Sequence, residues 1–192
     1  MTINPVLRRR VVGVMGSGTD AHQALSEEAG RVIGELGCDL LTGGGGGVMA
    51  AVAKAFVCVP LRAGLSIGVI RGESRWDSSS SSRTYTARGP NEFVELPIFT
   101  HLPLSGRQGK DLLSRNHINV LTPAVIVVLP GESGTRSELE LAVDYGRPVI
   151  LFLGTALVDG ENAASLERSF SGRAGVARDA AELRNQLSDI LG

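Results

Sequence analysis

The residues best placed to do chemistry lie in the run Pro130-Gly131-Glu132-Ser133-Gly134-Thr135-Arg136-Ser137-Glu138. Two readings of this run follow from residue type and spacing. In the first, Thr135 and Glu138 form a capping box, the hydroxyl and carboxylate closing the first turn of a helix between them. In the second, a glycine-containing turn directly before a helix leaves free backbone N–H groups and the positive helix end at one point, which suits an anion, above all a phosphate. Pro130, Gly131, Ser133, Gly134, Thr135 and Glu138 would then be candidates for holding the ligand. A second group lies upstream: between His101 and His117, the cations Arg107, Lys110 and Arg115 stand against the single acid Asp111. Arg115, Asn116 and Asn119 follow at helical spacing, with Arg115 and Asn119 on one face. That face is either solvated or turned toward the phosphate turn. His101 and His117 read as loop and surface residues, and no His/Cys spacing suits a metal ion.

Two further glycine turns belong with these groups. Gly16-Ser17-Gly18 follows an apolar strand, and Gly43 to Gly47 leads into Val48-Met49. The first is half of a dinucleotide-binding fingerprint only, because Ala21 stands where the third glycine would be. No Gly-Lys-Ser/Thr sequence is present, which argues against a P-loop nucleotidase. Five glycines also suit a linker, but linkers seldom sit between a strand and an apolar helix of one domain. Close approach of backbone to a ligand or a helix fits the position better.

The elements that must carry these turns alternate. Residues 10–15 predict a strand, and Ala21, Leu25, Ala29, Val32, Ile33 and Leu36 a helix closed by Gly37. Strands follow over 39–42, 65–70 and 93–99, with Pro97 favouring a sheet edge. Residues 71–91, with the serine run 78–82, read as a surface loop, an insert of about 72–92. A helix is predicted over 110–121, and 124–128 is an unbroken apolar run of the kind buried on both sheet faces. Leu139, Leu141, Ala142 and Tyr145 mark the helix after the phosphate turn; Val149 to Leu153 is the last predicted strand. Residues 154–175 carry little pattern, and Leu183, Leu187, Ile190 and Leu191 mark a terminal helix of about 178–191. The expected fold is α/β, three layers, Rossmann-like and doubly wound around a mostly parallel sheet, one domain over 1–192. In such sheets ligands bind beyond the carboxyl ends of the strands, where the strand order reverses. All three glycine turns fall at such ends.

Composition narrows the partners. With 192 residues, 43% hydrophobic content and a net charge of −1, the chain has a full core and none of the basic excess of nucleic-acid or membrane-surface proteins. Arg8-Arg9-Arg10 before Val11-Val12 resembles the start of a signal peptide, but Gly13, Gly16 and Gly18 interrupt the apolar stretch, so export is rejected. Cys38 and Cys58 both read as buried, reduced thiols, which places the protein in a reducing, cytoplasmic compartment.

The motifs also carry a family likeness. Pro130, Gly131, Gly134, Thr135 and Glu138, with Gly43, Gly44, Gly47, Val48 and Met49, resemble the patterns of the Rossmann-like family that holds the lonely-guy cytokinin phosphoribohydrolases, often mislabelled lysine decarboxylases, and the molybdenum cofactor carrier proteins. The likeness spans about residues 10–153, and the segment Ser114 to Leu121 is more similar to the carriers. It implies a homo-oligomer, dimer or tetramer, that binds a small phosphorylated ligand. The ligand implied is the molybdenum cofactor, a pterin with a phosphate and an oxo-metal group that needs no protein metal ligand. The alternative is a nucleoside 5′-monophosphate phosphoribohydrolase in which Arg115 and Glu138 match the catalytic pair and cleave the N-glycosidic bond. Two residues depart from that pattern: Asn116 where lysine follows the arginine, and Glu132 in place of the second glycine. A carboxylate at about 4 Å would oppose a phosphate by roughly 1–4 kcal/mol, depending on the local dielectric. A decarboxylase is not implied, since Lys54 and Lys110 are the only lysines and neither suits a pyridoxal phosphate site.

Overall fold

The structure is a computed structural model that describes residues 8–192. In chain order its elements are β1 (Val11–Met15), α1 (Gln23–Glu35), β2 (Asp39–Thr42), α2 (Val48–Val57) and β3 (Ser66–Ile70). Then come β4 (Gly72–Asp77), β5 (Ser82–Ala87), β6 (Leu96–Phe99), α3 (Asn116–Leu121), β7 (Val125–Val128) and α4 (Ser133–Asp144). β8 (Val149–Leu151), α5 (Ala163–Ser169), β9 (Ala174–Val176) and α6 (Ala180–Leu191) complete the chain.

Seven strands form a parallel sheet in the order β6-β3-β2-β1-β7-β8-β9. The apolar run of β7 is explained by its two faces. Val125 and Val127 join Val12, Val14, Ile33, Phe56 and Leu187 in a core under α1, α2 and α6. Ile126 and Val128 join Met15, Val120, Leu139 and Leu166 under α3, α4 and α5. The doubly wound, three-layer α/β architecture is therefore as the sequence predicts. Pro97 does lie in the edge strand β6, where the missing N–H costs no ladder bond. Among the described residues no helix is long and apolar enough to cross a membrane.

Four expectations are corrected. Residues 72–87 are not a loop: β4 and β5 pair as an antiparallel hairpin from Gly72↔Ala87 to Asp77↔Ser82. Every residue of β5 is exposed, so no apolar face betrays the strand period. The serine run makes the hairpin turn, and hydrogen bonds from Ser79 and Ser80 pull the Asp77 carboxyl down to about 2. Residues 110–115 are not helical. A short 3-10 helix (Gly106–Gln108) and turns lead to α3, and the chain runs back against Leu104 through Arg115 N–H donating to its carbonyl at 3.2 Å. The unpatterned stretch 154–175 carries α5, and the three residues of β9 that follow it are too few for a periodic signal. Cys38 is buried as expected, but Cys58 is exposed, because α2 ends at Val57 and the next residue turns outward.

The closeness of α1 to α2 rests on Gly30. A Cβ there would lie 2.4 Å from the Val52 carbonyl oxygen and 2.9 Å from the Ala55 Cβ. Helix propensity favours alanine over glycine by about 1 kcal/mol, whereas overpacking against backbone costs typically 1–3 kcal/mol. The Gly30→Ala variant is expected to lose net stability, with Tm lower by roughly 2–8 °C. A Tm at or above that of the wild type in thermal unfolding would show that the two helices can part without cost.

Candidate functional site

The strand order fixes where a site can form. From β1 the chain moves outward to β2, β3 and β6, then returns to the other side of β1 as β7. The order therefore reverses between β1 and β7, and the turns after these two strands stand side by side. Ser17 ties them together. Its N–H donates to the Pro130 carbonyl at 2.9 Å, its own carbonyl accepts from Val48 N–H at 2.9 Å, and the residue is fully buried. Gly47 makes the second contact possible, with φ at +58° and no room for a Cβ, which would lie 2.4 Å from the Ser17 carbonyl oxygen. One residue thus joins all three glycine turns.

The three turns border a cavity of about 380 Å³. Gly16, Gly18, Gly43 and Met49 line it from the β1 and β2 sides. Ser133, Gly134 and Thr135 line it from the start of α4, and Arg115, Asn116 and Glu138 complete the wall. Gly44 faces an adjoining hollow of about 210 Å³. Ser17, Gly47, Val48, Asn119, Pro130 and Gly131 are behind the wall. The first five shape it through packing and hydrogen bonds, and Gly131 keeps the turn tight, since a Cβ there would lie 2.2 Å from Thr135 Oγ1. Thr19, Ser105, Gly106 and Arg107 line the cavity but stand outside the sequence-predicted set. Arg107 belongs to the cationic group visible in the sequence; the other three carry no motif. Lys110, from that same group, is turned away and paired with Glu140 and Asp144, each at 3.2 Å.

The capping-box reading of Glu138 is not what forms. The N-cap of α4 is Glu132, and no side chain caps the helix. Glu138 instead lines the cavity, where its Oε1 accepts from Asn119 Nδ2 at 2.9 Å. The first-turn N–H groups at Ser133, Gly134 and Thr135 are those a helix start leaves without an intrahelical partner. Glu132 is exposed but held, accepting from Ser17 Oγ at 3.0 Å at the rim of the cavity. The Arg115 guanidinium reaches across to β2 and β3, donating from Nη1 to the carbonyls of Gly43 and Val69. Its Nε is buried without a partner, as is Asn119 Oδ1. Two polar groups beside the cavity thus retain unused hydrogen-bonding capacity. Among the described residues no group of three or more His, Cys, Asp and Glu side chains could hold a metal ion.

The model of the SLOG cluster4 family matches residues 9–181. The chain belongs to that family. Its fold is shared with the molybdenum cofactor binding protein of the phototrophic bacterium Rippkaea orientalis, at 23% identity and a TM-score of 0.72 over 97% of this chain and 99% of that one. It is also shared with the Moco carrier protein of Chlamydomonas reinhardtii, at 26% identity and a TM-score of 0.72 over 96% and 98% of the two chains. A comparison with the curated proteins finds no match. The expected kinship with the superfamily of carriers and lonely-guy proteins therefore holds.

In this SLOG cluster4 protein the half-buried pair Arg115 and Glu138 has a definite electrostatic sense. Burial pushes the Glu138 carboxyl up, against the Asn119 hydrogen bond and the Arg115 charge, which pull it down. Burial also lowers Arg115, against the field of Glu138 and with that of Arg71; a guanidinium still keeps its proton. Because the folded-state Glu138 holds its proton more tightly than the unfolded one, the folded protein binds more protons above the ordinary glutamate range, about 4.3. Stability attributable to this group is therefore lost as pH rises from there toward the raised folded value. Denaturant unfolding at a series of pH values is expected to show Glu138→Gln gaining on the wild type as pH rises. A gap between the two that stays constant with pH would contradict the burial.

Proposed function

We propose that this protein binds a phosphorylated pterin-like or nucleotide-like small molecule, as a carrier of the molybdenum cofactor type. The observation that supports this best is the meeting of the β1, β2 and β7 turns, through Ser17, around one cavity that the start of α4 faces. In this reading the N–H groups of Ser133, Gly134 and Thr135 take the phosphate, where a helix of twelve residues adds its positive end. Met49 offers an apolar contact to a flat ring, and Glu138 accepts from a ring N–H or a hydroxyl. The volume of about 380 Å³ falls in the range of small-molecule pockets. The names of the relatives from Rippkaea orientalis and Chlamydomonas reinhardtii support the same ligand class.

A second reading, phosphoribohydrolase, is favoured by one feature: a carboxyl with a raised pKa that shares the cavity wall with a half-buried arginine. There Glu138 would hold the ribose hydroxyls. The fixing of Arg115 on two backbone carbonyls, and Asn116 beside it, weigh toward the carrier.

Two measurements separate the readings. Protein purified from cells that make the cofactor is expected to carry a pterin, detected by fluorescence after oxidation. Ser133→Asp should lower that occupancy at least about tenfold, a loss of about 1.4 kcal/mol, while an acidic residue in the first helical turn leaves the fold intact or firmer. Incubation with AMP and isopentenyladenosine monophosphate should release no free base. Base release abolished by Glu138→Ala would overturn the carrier reading, as would a protein that retains no pterin under any condition.

A further inference from the structure

The main cavity does not end at Arg115. A hollow of about 210 Å³ continues beyond it and shares Gly18, Gly43, Met49, Ser105 and Arg115 with the main cavity. Its floor is the backbone of Gly44, Gly45 and Gly46, and its far side carries Arg71 and Arg88. These two arginines flank the base of the β4–β5 hairpin. Gly72 pairs with Ala87, so the next opposed positions in that register are 71 and 88. Like charges directly opposed across paired strands destabilise each other, and an anion between them removes that cost.

The surroundings do not neutralise the pair. Among the described residues neither arginine forms a salt bridge; Arg71 makes one hydrogen bond, to Ser105 Oγ at 3.3 Å. The carboxylate closest in sequence, Glu73, is taken by Arg75 at 2.7 Å. Nor is the hairpin base free to swing away. Asn91 donates through its backbone N–H to the Gly44 carbonyl at 2.9 Å and through Nδ2 to the Gly45 carbonyl at 2.8 Å. From β5 itself, Tyr85 donates its hydroxyl to the Thr100 carbonyl at 3.0 Å. The hairpin, whose outer faces look unused, thus has its cationic base clipped onto the pentaglycine turn.

We infer that Arg71 and Arg88 form a second oxyanion subsite, so that the ligand carries two anionic ends, one at the start of α4 and one at the hairpin base, joined by an uncharged body passing Arg115. This rests on the phosphate-cradle reading of the first end. The second oxyanion is either another phosphate or an oxometallate, which share charge and acceptor geometry and suit paired guanidinium groups.

Crystals soaked in tungstate should give anomalous peaks at both places, between residues 133–135 and between Arg71 and Arg88. In R71A/R88A only the first peak should remain. In solution, the double variant should raise the Kd of adenosine 3′,5′-bisphosphate about tenfold and that of AMP less than twofold, if the second end is a phosphate. If it is an oxometallate, the bisphosphate leaves the tungstate peak at the arginines in place and AMP clears only the peak at α4. A peak at α4 alone overturns the second subsite and leaves the proposed function standing. Absence of the peak at α4 removes the phosphate cradle, and with it the two-ended ligand. An arginine-pair peak that survives in R71A/R88A overturns the assignment of these side chains.

Discussion

Everything at the candidate site depends on the hydrogen bonds of one buried serine backbone. Ser17 N–H donates to Pro130 and its carbonyl accepts from Val48 N–H, both at 2.9 Å. Parallel pairing of β1 with β2 and β7 brings the three strand ends near one another, but it does not decide how the following turns face. The Ser17 bonds decide it, because buried backbone groups must be paired and here they pair only if the turns converge. The Ser17 side chain adds a fourth link: its hydroxyl accepts from the N–H groups of Thr19 and Asp20 and donates to Glu132. The cavity is thus bounded by backbone held in a rigid frame, the arrangement in which free N–H groups bind an anion with little reorganisation.

Against this frame the side chains supply contrast. Arg115 and Glu138 are opposite charges on one wall, yet neither is satisfied by the other through a hydrogen bond. Arg115 is committed to two backbone carbonyls and Glu138 to Asn119. A buried charge without a complete set of partners is costly. The unpartnered Arg115 Nε and Asn119 Oδ1 express that cost, as does the upward push on the Glu138 carboxyl. Glu132 stands at the rim. Its charge would oppose an approaching phosphate, and Ser17 Oγ keeps it in place.

The sheet was legible in the sequence because its strands are buried on both faces and the helices carry clear apolar stripes. Val125 to Val128 and Val149 to Leu151 need no context to read as parallel strands. Two kinds of feature escaped. The hairpin did, because Arg75, Trp76, Thr84 and Tyr85 alternate against solvent on both sides, leaving no hydrophobic period to detect. So did the breakdown of the helix before Asn116, where tertiary contact of residues 104 and 114 overrides a helix-compatible pattern. At the site, the glycine turns, Arg115 and Glu138 were visible as motifs, since few residue types permit such close backbone approach. Which of them face the cavity was not visible. Ser17, Gly131 and Asn119 turned out to act behind the wall, and Ser105 and Gly106 reach it from a loop whose path only the folded chain defines.

In the proposed function, free amides at the start of α4, held against the β1 turn, form an anion cradle. Backbone amide chemical shifts of the folded protein during titration with inorganic phosphate test it most directly. Saturable shifts concentrated at Ser133, Gly134 and Thr135, weakening as salt screens the charge, are the predicted result. Shifts scattered over the surface, or absent from these three amides while other regions respond, would contradict it.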